Sequence, residues 1–236
     1  MSYPNAVTLA VPDGTQAPAY TAFPDTPKAP RPGLILLQEA FGVNAHIRSV
    51  ADRLAAAGYV VIAPELYHRT ATPGQEWAYS DIASAMPHMQ ALTAEHLTAD
   101  LQAAHAWLQA QDTVLKDRIG SIGFCLGGRV SFLANAVLPL AAAVSYYGGR
   151  TNTLKERAKD LHAPHLFFWG GLDTHIPPEQ REELIAAVEA AGKPHLNTVI
   201  SYAEHGFNCD ARPSYNPEAA AEAWTLTLAF LQQKLG

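Results

Sequence analysis

Six short apolar runs set off by glycine and proline constrain this chain more than any other feature. They span Gly33 to Gln38, Tyr59 to Ala63, Ile119 to Phe124, Leu140 to Tyr147, His165 to Trp169 and Leu196 to Tyr202. Most lack the apolar/polar alternation of a strand with one wet face. Near-continuous apolar strands belong in a parallel sheet covered on both sides. Helical periodicity fills the gaps between them. Asn44 reads as a cap before Ile47, Val50, Leu54 and Ala57, with Gly58 closing the helix. Ala94 to Ala110 carries Leu97, Leu101, Ala104 and Leu108 on one face, and Glu179 to Ala191 turns Leu184, Ile185 and Val188 inward. Asn216-Pro217 opens a last helix with Trp224, Leu228 and Leu231. The alternation predicts an α/β architecture: a mostly parallel central sheet of about seven to eight strands with helices on both faces, and functional loops at the strands' carboxyl ends. Val7 to Val11 and Ala17 to Phe23 read as an antiparallel hairpin about Pro12-Asp13-Gly14. Tyr67 to Pro87 lacks periodicity and is expected to form a loop and short helix over the site.

Composition narrows the class. The 236 residues are 48% hydrophobic and 16% charged, which suits a folded globule rather than a disordered chain. No repeat, low-complexity tract or long linker divides them, although prolines gather near residues 24 to 32, so residues 1–236 are expected to form a single domain. The formal charge of −6 and the lack of a Lys/Arg-rich run argue against nucleic acid as a partner. No segment approaches the roughly 18 to 20 uninterrupted apolar residues of a membrane span. The opening MSYPNAVTLAVPDG has no basic stretch followed by an apolar core, so the expected location is cytoplasmic. Cys125 and Cys209 are too few for a disulfide framework, and neither sits in a CxxC pair.

Gly123-Phe124-Cys125-Leu126-Gly127 is a G-x-C-x-G between an expected strand and an expected helix. This is the nucleophile-elbow pattern with sulfur in place of the usual hydroxyl. The turn strains the nucleophile's backbone, so the residues two positions either side must be small; Gly123 and Gly127 meet that need and Gly128 adds room. A thiol at the amino end of a helix feels the positive end of its dipole, which favours the thiolate. Elbow enzymes place an acid and then a histidine after later strands. His165 to Trp169 runs into Gly170-Gly171-Leu172-Asp173, and Leu196 to Tyr202 runs into Ala203-Glu204-His205-Gly206. Taken singly, Asp173 also reads as a turn residue or helix cap and His205 as a loop imidazole. In this order after an elbow they read as acid and base. His175 is a rival base, but it shares the acid's loop. His162 and His165 are split by Pro164, and His96 and His105 are nine apart on a helix, so no metal set is expected and no cofactor is called for. Cys209, four residues after His205, reads mainly as loop core.

With Gln38-Glu39-Ala40-Phe41-Gly42-Val43-Asn44, Tyr146-Tyr147-Gly148-Gly149 and His205-Gly206-Phe207 added to these motifs, the chain resembles the dienelactone hydrolase family of α/β-hydrolases over nearly its full length. The resemblance implies a Cys125, Asp173 and His205 triad acting on an ester or lactone. It also implies that Glu39 pairs with the resting thiol and moves when substrate binds. It makes the backbone N–H groups of Leu126 and Ala40 the oxyanion hole, and Phe41, Tyr79, Tyr146 and Phe207 the substrate-contacting side chains. The family's founding members hold a substrate carboxylate with two arginines. Here those positions fall on Cys209 and, through Trp77-Ala78-Tyr79, on Gln75. Arg212, Arg69 and Arg150 are the available substitutes.

Sulfur chemistry restricts the substrate further. From a tetrahedral intermediate, a thiolate whose conjugate acid has a pKa of about 8.5 leaves far more readily than an alkoxide, so attack on an alkyl ester mostly reverts. Aryl esters and enol lactones have oxygen leaving groups good enough to carry the reaction forward. The expected partner is therefore a small-molecule ester or lactone, handled by a monomer or weak homodimer. A different class of reading is a ligand-binding or redox-sensing protein that keeps this scaffold with little turnover.

Overall fold

Leu34 to Leu37 and Val60 to Ala63 are wholly withdrawn from water, as strands flanked on both faces require. In the computed structural model, which describes residues 5–25 and 29–236, they form two of eight strands. The readings that touch residues 1–4 and 26–28 lie outside the described residues. Two compact units are present, Met1–Gly120 and Ser121–Gly236.

The first unit holds β1 (Ala6–Ala10), β2 (Gln16–Ala22), β3 (Arg31–Leu37), α1 (Ala45–Ala56), β4 (Val60–Pro64), α2 (Ile82–Gln90) and α3 (Ala94–Ala110). The expected hairpin is there: β1 and β2 pair antiparallel, Ala6 opposite Tyr20. Its turn is fixed by Thr15, whose backbone N–H and hydroxyl both bond Asp13, and by Gly14 at φ 86°. β2 lies antiparallel to β4, and β3 parallel to β4. The Asn44 side chain caps α1 by accepting from Ile47 N–H at 3.2 Å, and Thr93 caps α3 by accepting from His96 N–H. The aperiodic stretch yields α2 as its one helix. Asp81 caps it and Pro87 lies inside it, which is why its period was hard to see.

β5 (Val114–Phe124) runs through the boundary between the units. It begins five residues earlier than expected, because Leu115 to Arg118 are partly or fully exposed and so lack the apolar signal of a buried strand. The second unit continues with α4 (Leu126–Val137), β6 (Ala142–Tyr146), a 3-10 segment Thr151–Asp160, β7 (His165–Gly170), α5 (Pro178–Ala190), β8 (His195–Ile200) and α6 (Pro217–Leu235). Sequence periodicity gave no sign of the 3-10 segment. β6, β7 and β8 pair in parallel, with His165 opposite both Ala143 and His195. The strands make one sheet in the order β1-β2-β4-β3-β5-β6-β7-β8, mostly parallel, as the apolar runs demanded.

The core of the second unit is aromatic. Tyr146 stacks between Phe124 and Phe168, ring centroids 4.6 Å away on either side. Such pairs add about 0.5 to 1.5 kcal/mol beyond the area they bury. They seat the strand that ends at the elbow against its neighbours. Among the described residues, no helix is long and apolar enough to cross a membrane.

Candidate active site

The carboxyl end of β5 turns straight into α4 through Cys125, whose φ of 54° and ψ of −113° lie where a side chain is strained. A distortion of this kind costs on the order of 1 to 3 kcal/mol and survives only when its surroundings fix it. Here the Cys125 N–H donates to Tyr146 C=O at 3.0 Å, and Gly128 N–H donates to Cys125 C=O at 3.0 Å. A Cβ on Gly123 would meet the Gly127 carbonyl oxygen at 2.0 Å, and one on Gly128 would meet Tyr146 O at 2.7 Å. The glycines read from sequence are therefore steric necessities. Cys125 is half-buried while its neighbours Phe124 and Leu126 are buried, so the turn lifts the thiol out of the core. Leu126 opens α4, where first-turn N–H groups have no acceptor within the helix.

Asp173 and His205 come from the loops after β7 and β8. His205 Nδ1 and Asp173 Oδ2 are 2.8 Å apart, with the Asp173 side chain 1% exposed. The other Asp173 oxygen accepts from the N–H groups of His175 (2.8 Å) and Ile176 (3.2 Å). Asp173 is thus a turn residue and the partner of His205 at once, and it does not cap α5, whose first residues follow Pro177. Sequence reading missed what binds these loops together. A Cβ on Gly170 would strike Ala203 O at 2.5 Å and one on Gly171 would strike Ser201 Cα at 2.5 Å. Gly171 N–H bonds Ile200 O and Leu172 N–H bonds Ala203 O. The Gly-Gly pair lets the two loops run backbone to backbone.

His205 is also hydrogen-bonded to Cys125. Burial works to lower its pKa, but the charge of the Cys125 sulfur and the hydrogen bonds to Asp173 and Cys125 outweigh it and hold the pKa up at about 10. At neutral pH that imidazole carries its proton. His175, the rival base, has a side chain 71% exposed, with its ring 5.0 Å from that of His205. The imidazole bonded to sulfur is His205. Tyr147, at φ 37°, was also overlooked; its ring centroid lies 5.1 Å from that of His205.

The remaining expected residues occupy varied places. Tyr146 and Phe207 are fully buried and lie against each other, and the Tyr146 hydroxyl is 2.7 Å from Thr227 Oγ1 of α6. Both rings belong to the buried core of the second unit. In the first unit, Glu39 is fully buried in a tight loop where it bridges Gly42, whose φ is 85°. A Cβ at Gly42 would meet Gln75 O at 2.6 Å. Tyr67 hydroxyl donates to Ala40 O, and Phe41 packs on Tyr79, which accepts a hydrogen bond from Asn44. Of the substitute arginines, Arg69 is engaged by Asp13 and Asp100, and Arg150 is an exposed residue opening the 3-10 segment. Arg212 lays its guanidinium over Gly206, so close that a Cβ there would meet Nη1 at 2.5 Å.

Comparison with known proteins agrees with this geometry. The family model described as "Dienelactone hydrolase family" matches residues 17–235. A protein of Escherichia coli O157:H7, provisionally assigned as a carboxymethylenebutenolidase, is 38% identical over 230 residues, covering 93% of this chain and 83% of its own. A carboxymethylenebutenolidase of Pseudomonas putida is 34% identical, covering 86% of each chain. The crystal structure of a provisionally assigned dienelactone hydrolase of Klebsiella pneumoniae superposes with a TM-score of 0.85 at 35% identity, over 97% of this chain and 98% of the other. A strand-to-helix elbow at Cys125 followed by the loops of Asp173 and His205, on a match that spans nearly the whole chain, leads to one conclusion: this chain is a hydrolase of the α/β-hydrolase fold and belongs to the dienelactone hydrolase family.

Proposed function

We propose that this hydrolase cleaves activated carboxylic esters or enol lactones, with Cys125 as nucleophile, His205 as acid and base and Asp173 as the group that orients the imidazole. The observation that carries the reading is His205, hydrogen-bonded on one side to Cys125 and on the other to buried Asp173. The thiolate attacks the ester carbonyl carbon, and the carbonyl oxygen becomes an oxyanion. The N–H of Leu126, and by family likeness that of Ala40, donate to it as charge develops. His205 gives its proton to the leaving oxygen as the C–O bond breaks, which leaves an acyl-thioester on Cys125. Water, deprotonated by His205, attacks that thioester and regenerates the thiolate–imidazolium pair.

Family likeness gives Glu39 the part of holding the resting thiol until substrate binds. Its complete burial supports a carboxylate kept from water for a purpose. Arg212, on the histidine loop, is the best-supported substitute for a cation at an acidic end of the substrate. Aryl acetates should turn over, and matched alkyl acetates should barely do so. Comparable rates on both would refute the leaving-group argument. Abolition of aryl ester hydrolysis by Cys125→Ala is expected; retention would reject Cys125 as nucleophile.

A further inference from the structure

Three potential metal ligands of the second unit meet at one place: Asp173, His175 and His205 each offer an atom within 4.8 Å of the others. We propose that they form an inhibitory site for a zinc-like divalent cation, His175 being the ligand that makes the site possible. The inference rests on the triad reading above, since it is the triad's acid and base that the metal would take.

Bond lengths make the case. Ligand atoms about 2.0 to 2.2 Å from a tetrahedral zinc lie roughly 3.4 Å from one another. The His205 Nδ1 to Asp173 Oδ2 separation is 2.8 Å, and His175 Nδ1 to Asp173 Oδ1 is 3.7 Å. The two separations run to different oxygens of Asp173, so the carboxylate would face the metal with both; opening the first by about 0.6 Å and closing the second by about 0.3 Å gives that spacing. The His175 side chain is 71% exposed, whereas Asp173 is held by two backbone N–H groups and supplies a fixed carboxylate. His175 also sits at the water-facing edge, so a cation arriving from solvent meets it first. Water can complete the shell.

Binding replaces the proton between His205 and Asp173. That proton leaves to solvent, Nδ1 donates its lone pair to the metal, and the Asp173 charge is spent on the cation. His205 then lacks the Nδ1–H bond that fixes its ring, and Asp173 no longer stabilises an imidazolium. The enzyme stops for want of a proton carrier, while Cys125 remains unmodified. Turnover does not require the metal; once bound, it inhibits by occupying the acid and base.

The test uses zinc chloride on the intact, chelator-treated protein, with calorimetry for binding and aryl ester hydrolysis for inhibition, each rate compared with the same variant's own metal-free rate. The expected result is one zinc per chain, inhibition reversed by a chelator, and binding weakened roughly tenfold or more in His175→Ala. Cys125→Ser should bind zinc within about threefold of wild type, because no thiol belongs to the proposed ligand set. Zinc binding unchanged in His175→Ala, or an absence of binding, would overturn the proposal, and binding lost in Cys125→Ser would overturn it in favour of a cysteine–histidine site. Calorimetry does not require activity, so a protein whose Cys125→Ala variant still hydrolyses esters would refute the triad reading and leave the metal result separately readable.

Discussion

Two buried histidines of the second unit, His165 at the start of β7 and His205 beyond the end of β8, have been driven in opposite directions. His165 is completely buried, and its burial, with a smaller contribution from the charge of His195, pushes its pKa down to about 3. Its partners are neutral: Ser145 Oγ lies 2.8 Å from Nε2 and the Asn135 amide nitrogen 3.2 Å from Nδ1. Ser145 in turn donates to Gly128 O, in the first turn of the helix behind Cys125. His205 is buried too, yet its interactions with Cys125 and Asp173 hold its pKa up at about 10. Burial sets the cost of a charge, and the partners decide whether it is met. His165 is a neutral brace and His205 a charged group, the one proposed as acid and base.

The largest effects should fall on the charged side of this contrast. Cys125→Ala or His205→Ala is expected to lower kcat/KM for an aryl ester by at least about 10⁴-fold without a matching loss of folded protein in a thermal melt. Asp173→Asn should cost roughly 10²- to 10⁴-fold in kcat, with the thiol still present to alkylating agents.

The neutral side predicts a stability effect that acts in acid. Folded His165 takes up a proton only near pH 3, whereas in the unfolded chain it does so near 6.5. Between those values the unfolded state holds more protons, so stability is fully present above about 6.5 and falls by up to about 1.4 kcal/mol for each unit of acidification below it. Urea denaturation at several pH values should show that slope in wild type and a shallower one in His165→Gln. The sign for His205 is opposite: its raised pKa contributes stability at neutral pH that is lost as pH rises through about 10. A smaller effect is expected of Arg212→Gln, which should raise KM for carboxylate-bearing aryl esters about tenfold over neutral ones and leave kcat alone. The smallest belongs to Tyr146→Phe: loss of the bond to Thr227 should lower stability by about 1 kcal/mol, read as a shift in Tm, with kcat little changed.

Much of this was legible because backbone demands write themselves into sequence. Gly123 is required by the Gly127 carbonyl oxygen, 2.0 Å from a hypothetical Cβ, and Asn44 by an open helix end. Apolar strands such as Leu34 to Leu37 announce a sheet with no wet face. What stayed hidden depends on distance in space. Nothing in the local pattern at His165 separates a buried neutral brace from a surface imidazole. The Gly170-Gly171 pair looked like an ordinary turn until the neighbouring loop lay against it. Family likeness drew attention to Tyr146, but its ring points into the core, and the adjacent Tyr147 is the one that meets His205. Leu115 to Arg118 near the start of β5 were lost to their partial or full exposure, which removes the apolar signal.

The central claim is the covalent step at Cys125, and it is open to direct observation. The protein would be mixed with an aryl acetate, quenched in acid during turnover and analysed by peptide mass spectrometry. An acetyl group on the peptide containing Cys125, released by neutral hydroxylamine and absent in Cys125→Ala, is the predicted result. Turnover with no acyl group on Cys125, or hydrolysis undiminished in Cys125→Ala, would contradict it.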